Sequence, residues 1–393
     1  MRTLLLLLAC ILWASMAPAQ VWTQYRGPHR TGVGKLHEDP RARLENLGAT
    51  LWEFDDEQRM GAISNAVLDE ENAYYVSGGY LLALDYWSGE GQWRAHMYDP
   101  EKRRGAVSHP TVAEGSLFVG GRNGTLYAYN ASTGKQRWTY PTGGPILSSP
   151  TVADGRIFFL SQDSLFYALD AQTGERVWSF LTHWGGNSSP TVAGNTVYVG
   201  CQEFVGTEGY LYALDTKSGA LKWQFEAKGS IQGVPVIAHG NVYVVSDDGY
   251  LFAVDTATGQ EKWQYNLSAN TLSSPTVTDS AVYVMAHGNG IAYAVHAHSG
   301  KELWQRNFSA YQGRSILCGE SVIINNFLLM GSAFLDGRGR YQYRLHALNP
   351  NTGEERWHHD LSAAVKGTPV SHYNLLLLSD NNQALTAYIS TLE

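Results

Sequence analysis

The 393-residue chain predicts an all-β fold, an eight-bladed β-propeller of four-stranded antiparallel blades. The first observation is a signature that returns seven times: large apolar residues around an Ala, a polar residue, Ser or Thr, then Gly and Trp. Gly and Trp are four residues apart in every copy. The second is its period, since Trp93, Trp138, Trp178, Trp223, Trp263, Trp304 and Trp357 follow one another at 45, 40, 45, 40, 41 and 53 residues. Repeats of roughly 40 to 45 residues made of strands and turns mark a propeller or a comparable array. The third is the content of one repeat, which reads as four short strands joined by tight turns.

In chain order, residues 1–19 read as a signal peptide, with Arg2, an apolar run from Leu4 to Ala14 and the small-x-small site Ala17-Pro18-Ala19. A second reading takes Leu7-Leu8-Ala9-Cys10 as a lipoprotein site anchored at Cys10, but the apolar stretch continues past it to Trp13. Residues 20–48 form an N-terminal extension, and 49–393 a single propeller. No later segment has the roughly 18 unbroken apolar residues of a membrane helix. The expected location is therefore exported, periplasmic or extracellular.

The repeat at 148–180 shows how each blade is built. Ser148 to Val152 is the inner strand, Asp154-Gly155 a turn, Arg156 to Ser161 the second strand, Leu165 to Asp170 the third and Glu175 to Phe180 the outer one. Asn123-Gly124, Asp248-Gly249 and Asn289-Gly290 fall between second and third strands, where two-residue hairpins need positive φ. Asp or Asn ending the third strand can accept backbone N–H groups, and the Trp that follows can lie between blades.

Inner strands begin near Ser64, Ser108, Ser148, Ser188, Gly233, Ser273, Arg314 and Thr368, which gives eight blades. The last holds three strands and lacks its own Trp, while Leu51-Trp52-Glu53-Phe54 is a lone strand. Joining the two completes blade 8 and removes exposed sheet edges. The signature tryptophans and Trp52 thus have architectural tasks and are no cofactor box.

A formal net charge of -8 gives no electrostatic reason to bind nucleic acid. Cys201 and Cys318 fall three repeats apart and read as buried small hydrophobes. Five Asn-x-Ser/Thr sequons, at Asn123, Asn130, Asn187, Asn266 and Asn307, matter only in a eukaryotic secretory pathway.

The pattern Ala-x-Asp-x-x-Ser/Thr-Gly-x-x-x-Trp, best kept in Ala213 to Trp223 and Ala253 to Trp263, resembles the tryptophan-docking motif of the pyrroloquinoline-quinone (PQQ) repeat propellers. The segment Trp22-x-Gln24-Tyr25-Arg26-Gly27-Pro28 resembles the leader-proximal part of secreted bacterial members. The resemblance implies eight blades and two functional branches. One consists of quinoprotein dehydrogenases, which hold PQQ and Ca²⁺ in a funnel. The other consists of noncatalytic propellers similar to BamB, a component of the outer-membrane assembly machinery. The adjacent cysteines of the large quinoprotein alcohol dehydrogenases are missing from this chain.

Residues just before each inner strand are expected to line the channel mouth, and those segments contain no carboxylate. Ca²⁺ takes six to eight oxygens, usually including Asp or Glu, and hydride abstraction needs a base. Only His183 qualifies, with His109 nearby. No catalytic residue and no metal site is assigned. His296 and His298 share one turn, and a metal there would need ligands from other blades.

Arg314, Lys366, Gln232, Asn187, Trp184 and His183 could receive an anionic or planar ligand or a peptide carboxylate; the alternative is that they plug the channel or face water. Trp184 is either a rim contact or a core filler. Two insertions break the short-turn rule: Cys201 to Glu208, and Phe334 to Tyr341 with Arg338 and Arg340. The second reads as a partner surface or as neutral length variation. The leading expectation is a noncatalytic propeller scaffold for protein partners, including cell-envelope or outer-membrane assembly components, with no cofactor. The alternative is a secreted PQQ-dependent dehydrogenase using PQQ with Ca²⁺, and a third reading is a carbohydrate- or peptide-binding module.

Overall fold

The computed structural model describes residues 33–34, 47–55, 64–77, 79–97, 108–202, 208–308, 315–336, 338–365, 368–372, 375–379 and 384–390. The leader with Cys10, and the site candidates Arg314 and Lys366, lie outside the described residues.

Eight sheets form the blades of a β-propeller, and each is an antiparallel meander. Blade 3 is representative, with strands Thr151–Ala153, Arg156–Leu160, Leu165–Asp170 and Arg176–Leu181 from the inside outwards. The two middle strands of a blade are packed on both faces and are almost wholly buried. The outer strand alternates between exposed and half-buried positions, because one of its faces meets water.

The core lies between blades. Phe118, Leu126 and Ile146 of the second repeat meet Ile157, Phe159 and Leu169 of the third. One cluster joins Leu68 and Leu82 of blade 1, Val322 and Leu345 of blade 7, and Leu375 to Leu378 of blade 8. Blade 8 is composite: Val370–His372, Leu375–Ser379 and Ala384–Ser390 are completed by Leu47–Asp55 on the outside. Trp52 pairs with Ala387, and its Nε1 donates to Tyr86 O of blade 1 at 3.1 Å. The N-terminal strand therefore closes the ring.

Signature turns that begin with Asp are tied the same way, at Asp85, Asp170, Asp215 and Asp255. Asp170 Oδ1 accepts the N–H groups of Gln172 and Thr173 at 2.9 and 2.8 Å, and Gly174 follows at φ +76°. Indole N–H groups cross to the next blade: Trp93 to Ala131 O, Trp178 to Thr216 O and Trp263 to Ala297 O, at 2.9 to 3.1 Å.

The short lead-in to the inner strands ties the blades together around the channel. Ser148 Oγ accepts the N–H of Leu160 within its blade, Ser149 N donates to Ser189 Oγ of the next blade, and Thr151 Oγ1 donates to Pro190 O. Equivalent bonds run from Asn65 N to His109 Nδ1 and from His109 N to Ser149 Oγ. Inside this girdle, Val33–Gly34 pairs in parallel with Ile323 and Ile324 on the channel edge of blade 7.

Blade 7 departs from the sequence reading. Its first strand, Ser315–Ile324, contains an irregularity between Cys318 and Val322, so the lead-in falls at Gly319 to Ser321 and not at Arg314. Its next two strands, Phe327–Leu335 and Tyr341–Leu348, are longer than in other blades. Phe334 and Tyr341, read as loop residues, stand in this ribbon. His358 and His359 lie inside the outer strand Glu355–Leu361.

Candidate functional site

In a meander, the turns between second and third strands share one face with the connectors that carry the chain to the next inner strand. On this upper face the structure brings four of the sequence candidates together. Gln162 Nε2 donates to Asn187 Oδ1 at 3.0 Å, and Asn187 Nδ2 donates to Gln232 Oε1 at 3.2 Å. Three successive blades thus share a ladder of neutral amides. Sequence reasoning found Asn187 and Gln232 but missed Gln162, which sits in a hairpin turn and not in a connector.

His183 lies parallel to Tyr210, with ring centres 4.2 Å apart, and its Nδ1 is hydrogen-bonded to the Tyr212 hydroxyl. Phe180 meets Tyr212 edge-on at 5.4 Å. The stack fixes His183 although the residue is exposed. Trp184 is half-buried, and its carbonyl accepts the Thr182 hydroxyl at 2.7 Å. Beneath them Cys201 is buried as a free thiol, and burial pushes its pKa up to about 11. Such a thiol stays protonated and is no nucleophile at neutral pH.

Carboxylates do reach this face, from the hairpin turns. Asp163 accepts Gly143 N and the Tyr167 hydroxyl, both at 2.8 Å. Asp247 accepts Ser230 N at 2.8 Å, and Asp248 is bonded to Ser246 Oγ. In the girdle, Glu320 accepts the Ser274 hydroxyl at 2.7 Å and the Thr368 hydroxyl at 3.1 Å, linking blades 6, 7 and 8. The sequence reading missed Glu320, because it placed the blade 7 lead-in at Arg314. Each of these carboxylates already serves as an acceptor for the protein's own N–H or O–H groups, and they are spread over several blades. Among the described residues no cluster of three or more His, Cys, Asp or Glu forms a metal cage.

The blade 7 ribbon rises from the same face. Its tip is organised by Asp336, whose Oδ1 accepts the N–H groups of Arg338 and Arg340, both at 2.9 Å, while Oδ2 accepts Arg340 Nε at 3.2 Å. These contacts hold the Asp336 carboxyl below the usual carboxylate range. Below the tip, the Tyr341 ring stacks on Tyr343 at 6.3 Å, and Tyr341 remains 54% exposed. Arg344 lies over the Phe334 ring at 5.1 Å and bonds Asp360 at 2.7 Å. The ribbon is an exposed projection with two arginines at its end, both bonded to Asp336. The four residues read from the sequence as a partner loop are thus brought together, two on the strands and two at the tip.

Similar proteins include assembly factors and quinoprotein dehydrogenases. BamB from Moraxella catarrhalis superposes with a TM-score of 0.70 at 20% identity, covering 88% of this chain and 98% of that one. Quinohemoprotein alcohol dehydrogenase from Comamonas testosteroni gives 0.76 at 16% identity, covering 97% and 82%. At these identities the likeness shows the fold alone. In sequence, quinohemoprotein alcohol dehydrogenase ADH IIB of Pseudomonas putida is 30% identical over 111 residues, 24% of this chain and 16% of its own. The lupanine 17-hydroxylase [cytochrome c] of a Pseudomonas species is 32% identical over 82 residues, 19% of this chain and 12% of its own. The chain thus matches well under a quarter of the length of these relatives. The family model described as outer membrane protein assembly factor BamB matches residues 77–224 and 183–332, and the chain belongs to that family of PQQ-repeat propellers.

Proposed function

We propose that this chain is a noncatalytic, exported propeller that presents its upper face to protein partners of the cell envelope, in the manner of an outer-membrane assembly scaffold. The observation that carries the reading is the blade 7 ribbon. A projection with a carboxylate-pinned tip, two arginines and an exposed tyrosine stacked on a half-buried one has the composition of protein-contact surfaces, in which Arg and Tyr are enriched. A tip already held by Asp336 lowers the ordering cost of association. The amide ladder on the same face, built from blades 3 to 5, offers donors and acceptors suited to peptide backbone, without net charge.

The donor set argues against a resident PQQ with Ca²⁺. A Ca²⁺ site gathers six to eight oxygens, whereas the upper-face carboxylates described above are dispersed and bonded to the chain itself. His183, the one candidate base, is committed to Tyr210 and Tyr212. The dehydrogenase remains the second reading because of the 30% identity to a quinohemoprotein alcohol dehydrogenase.

Two measurements separate the readings. A photo-crosslinker in place of Tyr341 is expected to yield a discrete envelope adduct in cells, absent when it replaces Lys217 in a lower-face turn. Purified protein given PQQ and Ca²⁺ is expected to show no shift in melting and no dye reduction with alcohols. Dye turnover, or an identical adduct pattern from both positions, would overturn the scaffold reading.

A further inference from the structure

The lower face carries a histidine cluster that the upper-face reading leaves unused. His296 and His298 belong to the signature turn of blade 6, and the ring brings His239 against them from the turn that joins the first two strands of blade 5. His239 and His298 have ring centres 5.0 Å apart with planes inclined at 38°; His298 and His296 stand 5.8 Å apart. His239 and His298 are exposed, so a cation can reach them.

Hydrogen bonding has already oriented the first ring. His239 Nε2 lies 3.0 Å from Thr278 O of blade 6. A carbonyl only accepts, so in the neutral ring Nε2 carries the proton and Nδ1 keeps its lone pair. This is the arrangement that metal-bound imidazoles use, with the second nitrogen donating to a carbonyl or carboxylate. His239 sits at φ +53°, in the left-handed region, so its backbone is held in a conformation that favours Gly or Asn. His298 makes ring contacts only, among the described residues, and His296 is tied to Ser299 Oγ at 2.9 Å.

We propose that His239 and His298 form an inter-blade site for a divalent transition metal of the kind imidazole prefers, Zn²⁺, Cu²⁺ or Ni²⁺. Two imidazoles on one tetrahedral ion, each bound at about 2.1 Å, place their ring centres about 5 Å apart. The observed 5.0 Å matches that separation. No three such side chains among the described residues converge on one point, so the protein supplies two ligands and water the rest. The site joins blades 5 and 6 on the face opposite the ribbon.

The test uses the full-length mature chain without a polyhistidine tag, titrated with Cu²⁺ and with Zn²⁺ after chelator treatment. Binding is followed by calorimetry and, for Cu²⁺, by nitrogen hyperfine splitting in the electron paramagnetic resonance spectrum. The variants are His239→Asn, which tolerates the positive φ, His298→Ala and His296→Ala. The expected result is one site whose affinity falls at least about tenfold in the first two variants and stays within about threefold in the third. Wild-type affinity in both His239→Asn and His298→Ala would overturn the proposal. So would a loss confined to His296→Ala and His298→Ala, which would place the ion within one turn. Unchanged near-ultraviolet circular dichroism shows that each variant is folded, as expected for exposed side chains.

Discussion

The indole of Trp138 lies against Gly174 of the next blade so closely that a Cβ on Gly174 would stand 2.6 Å from ring atom Cδ2. The same indole donates to Ala171 O at 3.2 Å. Gly and Trp of the repeated signature therefore meet across blade boundaries and not within one repeat. A control is built into the fold, because Gly155 also has positive φ, +68°, yet a Cβ there meets nothing within 4 Å. Gly155→Ala is expected to cost about 1 kcal/mol from backbone strain alone. Gly174→Ala adds the clash and should cost about 1 to 3 kcal/mol more. Denaturant midpoints of the two variants decide the matter, and equal losses would refute the steric account.

Ring closure depends on one strand. Trp52 reaches Tyr86 O, and a Cβ on Gly89 would lie 2.6 Å from its ring, so it does in blade 8 what Trp138 does in blade 2. Trp52→Ala should cost roughly 3 kcal/mol. Removing residues 47–55 should do more, exposing the edge of Ala384–Ser390 and giving association at raised concentration. A truncated protein that keeps its melting temperature and remains monomeric would show that the ring closes without it.

The blade count and the closing strand were legible because each rests on local signals repeated in register. Blade 7 was not, for a local reason. Its extra residues extend the hairpin Phe327–Leu335 and Tyr341–Leu348 and bend the inner strand, and nothing in their composition separates longer strands from a longer loop. The misplaced lead-in also hid Glu320. The Gln162 to Gln232 ladder was half legible, since Asn187 and Gln232 precede inner strands while Gln162 arrives from a hairpin turn. The pairing of His239 with His298 depends on which turns of adjacent blades meet, which no single repeat states.

Acid should loosen the boundary of blades 6 and 7. Glu355 accepts from His346 Nδ1 at 3.3 Å, His358 Nδ1 at 2.8 Å and Arg306 at 3.0 Å, and the two histidines, led by the bond from His346, bring its pKa down to about 2. A lowered folded-state value means that stability is full above the unfolded value near 4.5 and is lost as pH falls towards 2. Burial lowers the pKa of His346, beside Ser332 Oγ at 2.7 Å, so its contribution is likewise present above the unfolded value near 6.5 and is lost on acidification. Both slopes have the same sign. Denaturation series from pH 7 to 3 should show stability falling in two stages. Glu355→Gln should flatten the lower stage, on the order of 2 kcal/mol, and an unaltered profile would remove Glu355 from the account.

At the ribbon tip, Asp336→Ala removes the acceptor of Arg338 N and Arg340 N while leaving both arginines in place. Global stability should change by less than about 1 kcal/mol, as expected for an exposed turn. Amide exchange at residues 338–341 should nevertheless accelerate at least about tenfold, and crosslinking from position 341 should weaken. If exchange rises and crosslinking is unaffected, the tip is not the contact.

Glu320 offers a test of the girdle that is separate from partner binding. Its two oxygens accept from the hydroxyls of Ser274 and Thr368, both buried, so it replaces with one carboxylate the hydroxyl relay used by other blades. Glu320→Ala leaves two buried hydroxyls without their acceptor, a cost of about 2 to 4 kcal/mol at about 1 to 2 per group. Glu320→Gln keeps one acceptor oxygen and should cost about half as much. If both variants unfold at the wild-type denaturant midpoint, blades 6 and 8 are held by apolar packing alone. A loss in Glu320→Ala that Glu320→Gln partly restores assigns the difference to the bridging hydrogen bonds, because the two side chains differ little in volume from Glu to Gln and greatly from Glu to Ala.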